Sequence, residues 1–214
     1  MHTIELHAVL PEVFSGRNGI VSDIWHREVS FKKGNTYLIE AASGTGKSSL
    51  CSFLYGYRSD YQGMICFDGE NIKNLSVKQW VEMRRKHLSI LFQELRLFPE
   101  LTALENVKLK NGLTGYCKTK EIKAWFERLG IADKTDQKAG LMSWGQQQRV
   151  AFVRALCQPF EFILLDEPIS HLDDGNGRIM ADILNEELAK RGATAILTSI
   201  GKHIDMNYNQ VMNL

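Results

Sequence analysis

Thr36-Tyr37-Leu38-Ile39-Glu40, followed at once by Ala41-Ala42-Ser43-Gly44-Thr45-Gly46-Lys47-Ser48, decides the fold. The first five residues are β-prone and leave a turn at Lys33-Gly34-Asn35, whereas Ser48 to Tyr55 is compatible with a helix. Strand, glycine-rich loop and helix in that order form a phosphate-binding loop. Glycine tolerates the dihedrals that turn backbone amides inward around phosphate oxygens, and the following helix presents its positive end to the anion. Lys47 would reach the β and γ phosphates, and Ser48 would offer its hydroxyl to Mg2+. Ser43, Gly44, Thr45, Gly46, Lys47, Ser48 and Ser49 are therefore the expected nucleotide-binding residues. Ala41 stands where the pattern starts with glycine, and its methyl group is tolerable if φ is negative there.

Downstream, strands and helices alternate. Met64-Ile65-Cys66-Phe67 reads as a strand that ends in the turn Asp68-Gly69. Ser76 with Gln79 forms a capping box, opening a helix whose Val77, Trp80, Val81 and Arg84 share one face. Leu88 to Phe92 is the next strand. Between Gln93 and Ser143 the pattern turns helical, at Leu101 to Val107 and at Thr119 to Leu129. In the second of these Ile122, Trp125, Phe126 and Leu129 line one apolar face and Gly130 supplies a stop. This stretch, 94–146, reads as a helical lobe inserted into an α/β core within a single unit spanning 1–214. Phe162-Ile163-Leu164-Leu165 is a continuous apolar run, as in a parallel strand covered on both faces. An amphipathic helix follows, marked by Ile179, Ile183, Leu184 and Leu188 and stopped by Gly192, and Ala193 to Thr198 is a further buried strand. The sequence thus predicts an α/β fold with a mostly parallel sheet, whose ligands lie beyond the carboxyl ends of the strands.

Asp166-Glu167 ends the strand Phe162 to Leu165. Asp166 would hold Mg2+ through water, and Glu167, on the other side of the pleat, can take a separate role. A pair of surface acids after a strand is common by itself; behind a phosphate-binding loop it points to hydrolysis. Gln93, after the strand ending at Phe92, carries an amide that can ligate Mg2+ or orient water and then release it. The alternative for Gln93 is a solvated polar residue at a strand end.

Met142-Ser143-Trp144-Gly145-Gln146-Gln147-Gln148-Arg149 stands between these elements. Together the motifs resemble the nucleotide-binding subunit of ATP-binding cassette (ABC) transporters, from about Val29 to Ile200. The resemblance implies a RecA-like P-loop core with an N-terminal antiparallel β subdomain and the inserted helical lobe. It makes Glu167 the general base for water, Gln93 the Q-loop residue, and Pro168-Ile169-Ser170-His171-Leu172-Asp173 a D-loop whose Asp173 faces a second subunit. Ser143, Gly145 and Gln146 belong to the signature sequence. Ser143 and the Gly145 amide would bind the γ-phosphate of ATP held by the other subunit, so that nucleotide joins two chains. Trp144 replaces a glycine of the family, and its indole either crowds the phosphate path or packs outward. Ser199 stands where the family carries its switch histidine; it could donate one hydrogen bond but has no titratable ring. His203 and His171 read as bystanders. By its distance from the loop, Phe14 is the candidate for stacking on adenine, although Phe14, Trp25 and Phe31 could equally be core or edge residues, and Gly16-Arg17-Asn18-Gly19 reads as a turn.

With 26 basic and 25 acidic residues, the net charge of +1 provides no overall field for nucleic acid or anionic lipid. No apolar run approaches the ~20 residues of a membrane span, and the first residues lack a signal-peptide pattern. The expectation is a cytoplasmic protein held at the inner face of the membrane by partners, without inserting itself. Cys51, Cys66, Cys117 and Cys157 contain no C-x-x-C pair, which argues against a zinc site or a disulfide and for reduced, half-buried thiols. The chain stops soon after its last expected strand, around Gln210 to Leu214, so partner subunits are expected in trans.

Three functions compete. The first is an ATP-hydrolysing subunit, using ATP and Mg2+, that forms a homodimer or heterodimer with another ABC ATPase and drives a transmembrane permease subunit. Leu97 to Val107 resembles the subgroup serving lipoprotein release, macrolide export and cell-division complexes. The second is a weakly hydrolysing, nucleotide-gated module paired with a more active paralogue; Ala41, Trp144 and Ser199 favour it and Glu167 opposes it. The third, a small-molecule P-loop kinase, leaves Ser143 to Arg149 unexplained.

Overall fold

The computed structural model describes residues 1–17 and 19–214. Its elements are β1 (Thr3–Pro11), β2 (Glu28–Lys32), β3 (Thr36–Glu40), α1 (Lys47–Leu54), β4 (Tyr61–Phe67), β5 (Glu70–Asn71), α2 (Val77–Lys86), β6 (Leu88–Leu91), α3 (Ala103–Asn111), α4 (Thr119–Arg128), α5 (Trp144–Leu156), β7 (Phe162–Asp166), α6 (Asp174–Arg191), β8 (Thr194–Ser199) and β9 (Gln210–Asn213).

They form two sheets. A five-stranded sheet runs in the order β6-β7-β8-β3-β9, and every pairing in it is parallel. A four-stranded antiparallel sheet runs β2-β1-β4-β5. The latter is not built from the N-terminal segment alone, because β4 and β5 return to it after α1. β9 extends the parallel sheet beyond the last strand expected from sequence.

Alternation along the parallel strands divides the interior. Leu38, Leu91, Ile163, Leu165, Ala195 and Leu197 face α5, α6 and the helical segment, whereas Tyr37, Ile39, Ile90, Phe162, Leu164 and Ile196 face α1 and the antiparallel sheet. Both faces of the Phe162–Leu165 run are therefore covered, which explains its unbroken apolarity; each such side chain contributes roughly 1.5–3 kcal/mol on burial. Ile122, Trp125, Phe126 and Leu129 are all buried, as their spacing predicts.

The capping box at Ser76 is present, but the face it heads is not buried: Val77 is 81% exposed and Val81 49%. Trp80 and Arg84 of that row do dock: Trp80 lies over Gly56, where a Cβ would come within 2.4 Å of the indole, and Arg84 donates to the carbonyls of Tyr55 and Gly56 at 3.1 and 2.8 Å. The thiols also differ from expectation, since all four cysteines are free and buried rather than half-buried. No helix among the described residues is long and apolar enough to cross a membrane.

Candidate nucleotide site

The carboxyl ends of β3, β7 and β8 converge, with Glu40 paired to Ser199 and Asp166 to Thr198. From β3 the chain turns through Ala41–Gly46 into α1. Gly44 and Gly46 have φ of 79° and 104°, a region open to glycine and costly for other residues. Gly46 is also tightly packed, because a Cβ there would meet Trp25 at 3.0 Å and Phe14 at 3.1 Å. Trp25 fastens the loop further by donating its indole N–H to the Thr45 carbonyl at 2.9 Å.

Lys47 is only 5% exposed. Its ammonium donates to the Ala42 carbonyl at 3.0 Å and lies 3.7 Å from the Glu167 carboxylate. Glu167 has φ of 50°, a conformation costing roughly 1–3 kcal/mol for a residue with a Cβ. Its backbone is held on several sides: the amide donates to Thr198 Oγ1 at 3.3 Å, and the carbonyl accepts from Gln148 and Ser170, each at 3.2 Å. Asp166 is buried and accepts a 2.6 Å hydrogen bond from Thr198 Oγ1. Ser48 donates to Gln93 Oε1 at 3.2 Å, so these two expected metal ligands meet although they are 45 residues apart.

The other expected residues have different settings. Ser43 and Gly44 are exposed at the loop tip, and the Ser49 hydroxyl accepts from Arg58 at 3.0 Å. Ser199 is 1% exposed and donates to the Lys202 carbonyl at 2.7 Å, which leaves it no free donor for a phosphate in this arrangement. The turn after β8 folds back on its own strand end and captures that hydroxyl. Phe14 is buried, with Arg17 4.6 Å above its ring, and lines a cavity of about 200 Å3 with Val21, Trp25 and Thr45. Trp25 and Phe31 are buried core residues as well. The turn expected at Gly16 to Gly19 includes Asn18, which lies outside the described residues.

Ser143 caps α5. Its Oγ accepts from the Gln146 amide at 3.3 Å, and Gln146 Oε1 accepts from the Ser143 amide at 2.9 Å. Trp144 is 44% exposed and packs edge-on against His171, with ring centroids 5.5 Å apart. His171 thus packs against the indole. Gly145 lies against the same segment: a Cβ there would approach the His171 carbonyl to 3.2 Å and Leu172 to 3.3 Å. The far end of α5 reaches the Gln93 loop, where Arg154 donates to the carbonyls of Leu95 and Arg96, both of positive φ. Burial pulls the Arg154 guanidinium down to about 10.

Trp25, Thr198, Gln148 and Arg154 support the site without having been singled out for it from sequence. Their roles are contacts between distant segments, and no local motif announces such contacts. Thr198 lay beside Ser199, and Gln148 within the stretch Met142 to Arg149, both already under suspicion.

The geometry defines a P-loop nucleotide site flanked by a capped, outward-facing helix start. The family profile described as ABC transporter matches residues 26–170, and the chain belongs to that family as an ATP-binding cassette. It is 32% identical over 199 residues to the uncharacterized ABC transporter ATP-binding protein YbbA of Escherichia coli strain K12, covering 92% of this chain and 87% of YbbA. It is 34% identical over 177 residues to the macrolide export ATP-binding/permease protein MacB of Vibrio parahaemolyticus, covering 81% of this chain and 27% of MacB. The fold matches the dimeric bacterial ABC transporter cassette MJ0796 with a TM-score of 0.74 and 28% identity, over 91% of this chain and 87% of that one. MJ0796 is also known as a post-hydrolysis dimer bound to ADP and Pi, which this chain matches with a TM-score of 0.75.

Proposed function

We propose that this chain, one unit over 1–214 with its helical lobe at 94–146, hydrolyses ATP as the motor of a membrane transport complex. Two copies, or one copy and another ABC ATPase, close head to tail on ATP. Backbone amides of Ser43 to Ser48, with Ser49 behind them, cradle the phosphates. The observation that carries this reading is Lys47 and Glu167 within 3.7 Å in a nearly buried site. When Lys47 turns to the β and γ phosphates, Glu167 is released from it and becomes free to accept a proton from water.

Ser48, Gln93 and Asp166 offer an all-oxygen donor set, partly exposed and partly buried, which suits Mg2+. Such an ion would neutralise phosphate charge. Phe14 lines the cavity beside the loop, and adenine would reach its ring there by displacing Arg17.

From the partner chain Ser143, Gly145 and Gln146 would reach the γ-phosphate. A permease segment would dock in the cavity of about 410 Å3 bounded by Tyr57, Phe92, Arg96, Phe98, Leu109 and Leu113, several of them exposed apolar residues next to the Gln93 loop. Such docking would place the chain at the membrane through its partner alone.

A slower, switch-like ATPase is the second reading, favoured by the engagement of Ser199 with Lys202. ATP turnover by the purified chain beside Glu167→Gln separates them. The motor reading expects the variant to fall by about 100-fold or more, and wild-type turnover as low as the variant's would support the switch.

A further inference from the structure

Three potential ligands meet on the outward face of the antiparallel sheet, on the side away from the core. Glu5 and His7 are two apart on β1 and therefore share a face, and Glu5 is paired directly with Cys66 of β4. One ligand atom from each of Glu5, His7 and Cys66 lies within 4.8 Å of the others. We propose that Glu5, His7 and Cys66 form a Zn2+ site that clamps β1 to β4, with water completing the coordination.

The chemistry favours zinc among divalent ions. A thiolate, an imidazole and a carboxylate together are the donors of zinc, whereas Mg2+ and Ca2+ take oxygen alone. Ligand atoms bound tetrahedrally at zinc distances stand about 3.5 Å apart, so modest side-chain rotations close the present spacing. Glu28, paired with His7 across β1 and β2, has its Oε2 2.5 Å from His7 Nδ1. A carboxylate on one ring nitrogen fixes a histidine for metal binding through the other, Nε2.

Cys66 also differs from the other thiols. Cys51, Cys117 and Cys157 belong to the two apolar cores, whereas Cys66 is buried but part of neither. The absence of a C-x-x-C pair in the sequence does not bear on such a site, because strand pairing and not sequence spacing brings the ligands together.

The test uses the full, nucleotide-free chain titrated with Co2+ as a spectroscopic probe and then with Zn2+. The expected result is one equivalent of Co2+ with a near-ultraviolet thiolate-to-metal band, displaced by Zn2+, and a Zn2+-dependent rise in Tm. Cys66→Ser should abolish both the band and the rise. His7→Gln, on a half-exposed side chain, should weaken Zn2+ by at least about 100-fold, and Glu28→Gln by about 10–100-fold. Co2+ bound without a thiolate band, a band that survives Cys66→Ser, or equal Zn2+ affinity in wild type and His7→Gln would each overturn the proposal.

Discussion

The two halves of the nucleotide site are built in opposite ways. Lys47 and Asp166 are buried and hydrogen-bonded, Glu167 is nearly so, and even the unfavourable φ of Glu167 is fixed by Thr198, Gln148 and Ser170. Around Ser143 the side chains are exposed, and the polar groups are satisfied only by the helix cap. One half is organised by its own fold, while the other, on the proposed reading, is a surface whose ligand comes with a second chain. Between them lies the His171–Leu172 segment, on which both Trp144 and Gly145 rest.

The largest expected effect breaks the buried half. Lys47→Ala should lower ATP turnover by about 100-fold or more, measured as phosphate release, because the only cation placed beside Glu167 among the described residues is removed.

The exposed half should respond differently. Gly145→Ala adds a methyl group 3.2 Å from the His171 carbonyl and must displace that segment by a few tenths of an ångström. Alanine favours a helix over glycine by about 1 kcal/mol, so the Tm should stay nearly constant while turnover falls about 10-fold. A loss of turnover accompanied by an equal loss of Tm would mean that Gly145 serves packing alone.

Ser199→Ala sharpens the boundary of the buried half. Losing the hydrogen bond to Lys202 should cost about 1 kcal/mol in denaturant titrations and leave turnover within about twofold. A large drop in turnover would make Ser199 a phosphate contact.

The smallest effect on activity is expected at the opposite end of the parallel sheet. Burial raises the Glu161 carboxyl, but hydrogen bonds from Lys33, the amino terminus and His87 outweigh it and hold the group at about 2. Its folded value lies below the ordinary 4.5, so its contribution is fully present above about pH 4.5 and is lost as pH falls towards about 2. The full shift corresponds to about 3 kcal/mol, which solvent screening of this partly exposed group reduces, so Glu161→Gln should cost about 2 kcal/mol at neutral pH and flatten the acid limb of the stability curve, with turnover unchanged.

Much of the buried half was legible because its signals are local. The strand-loop-helix order at Thr36 to Ser48 and the apolar run before Asp166-Glu167 each lie within a few residues. What escaped was non-local. β1 alternates Ile4 and Leu6 inward with Glu5 and His7 outward, but its partners lie in β2 and β4. β9 has only four residues and is placed by pairing with β3. Val77 and Val81 carried a true helical period, yet α2 rests on the surface with no layer above it, so periodicity located the helix and not its burial. Ser199 was judged by its alignment with a family position, and the capture of its hydroxyl by Lys202 depends on a turn that no motif encodes.

The central claim, that the exposed half works only on nucleotide held by a second chain, is tested most directly by the molar mass of Glu167→Gln in solution with and without ATP. The account predicts a monomer that becomes a dimer on adding ATP. With Ser143→Arg added, it predicts a chain that still binds ATP and stays monomeric, since the lost cap costs only about 1 kcal/mol. A double variant that dimerises on ATP as readily as Glu167→Gln alone would contradict it.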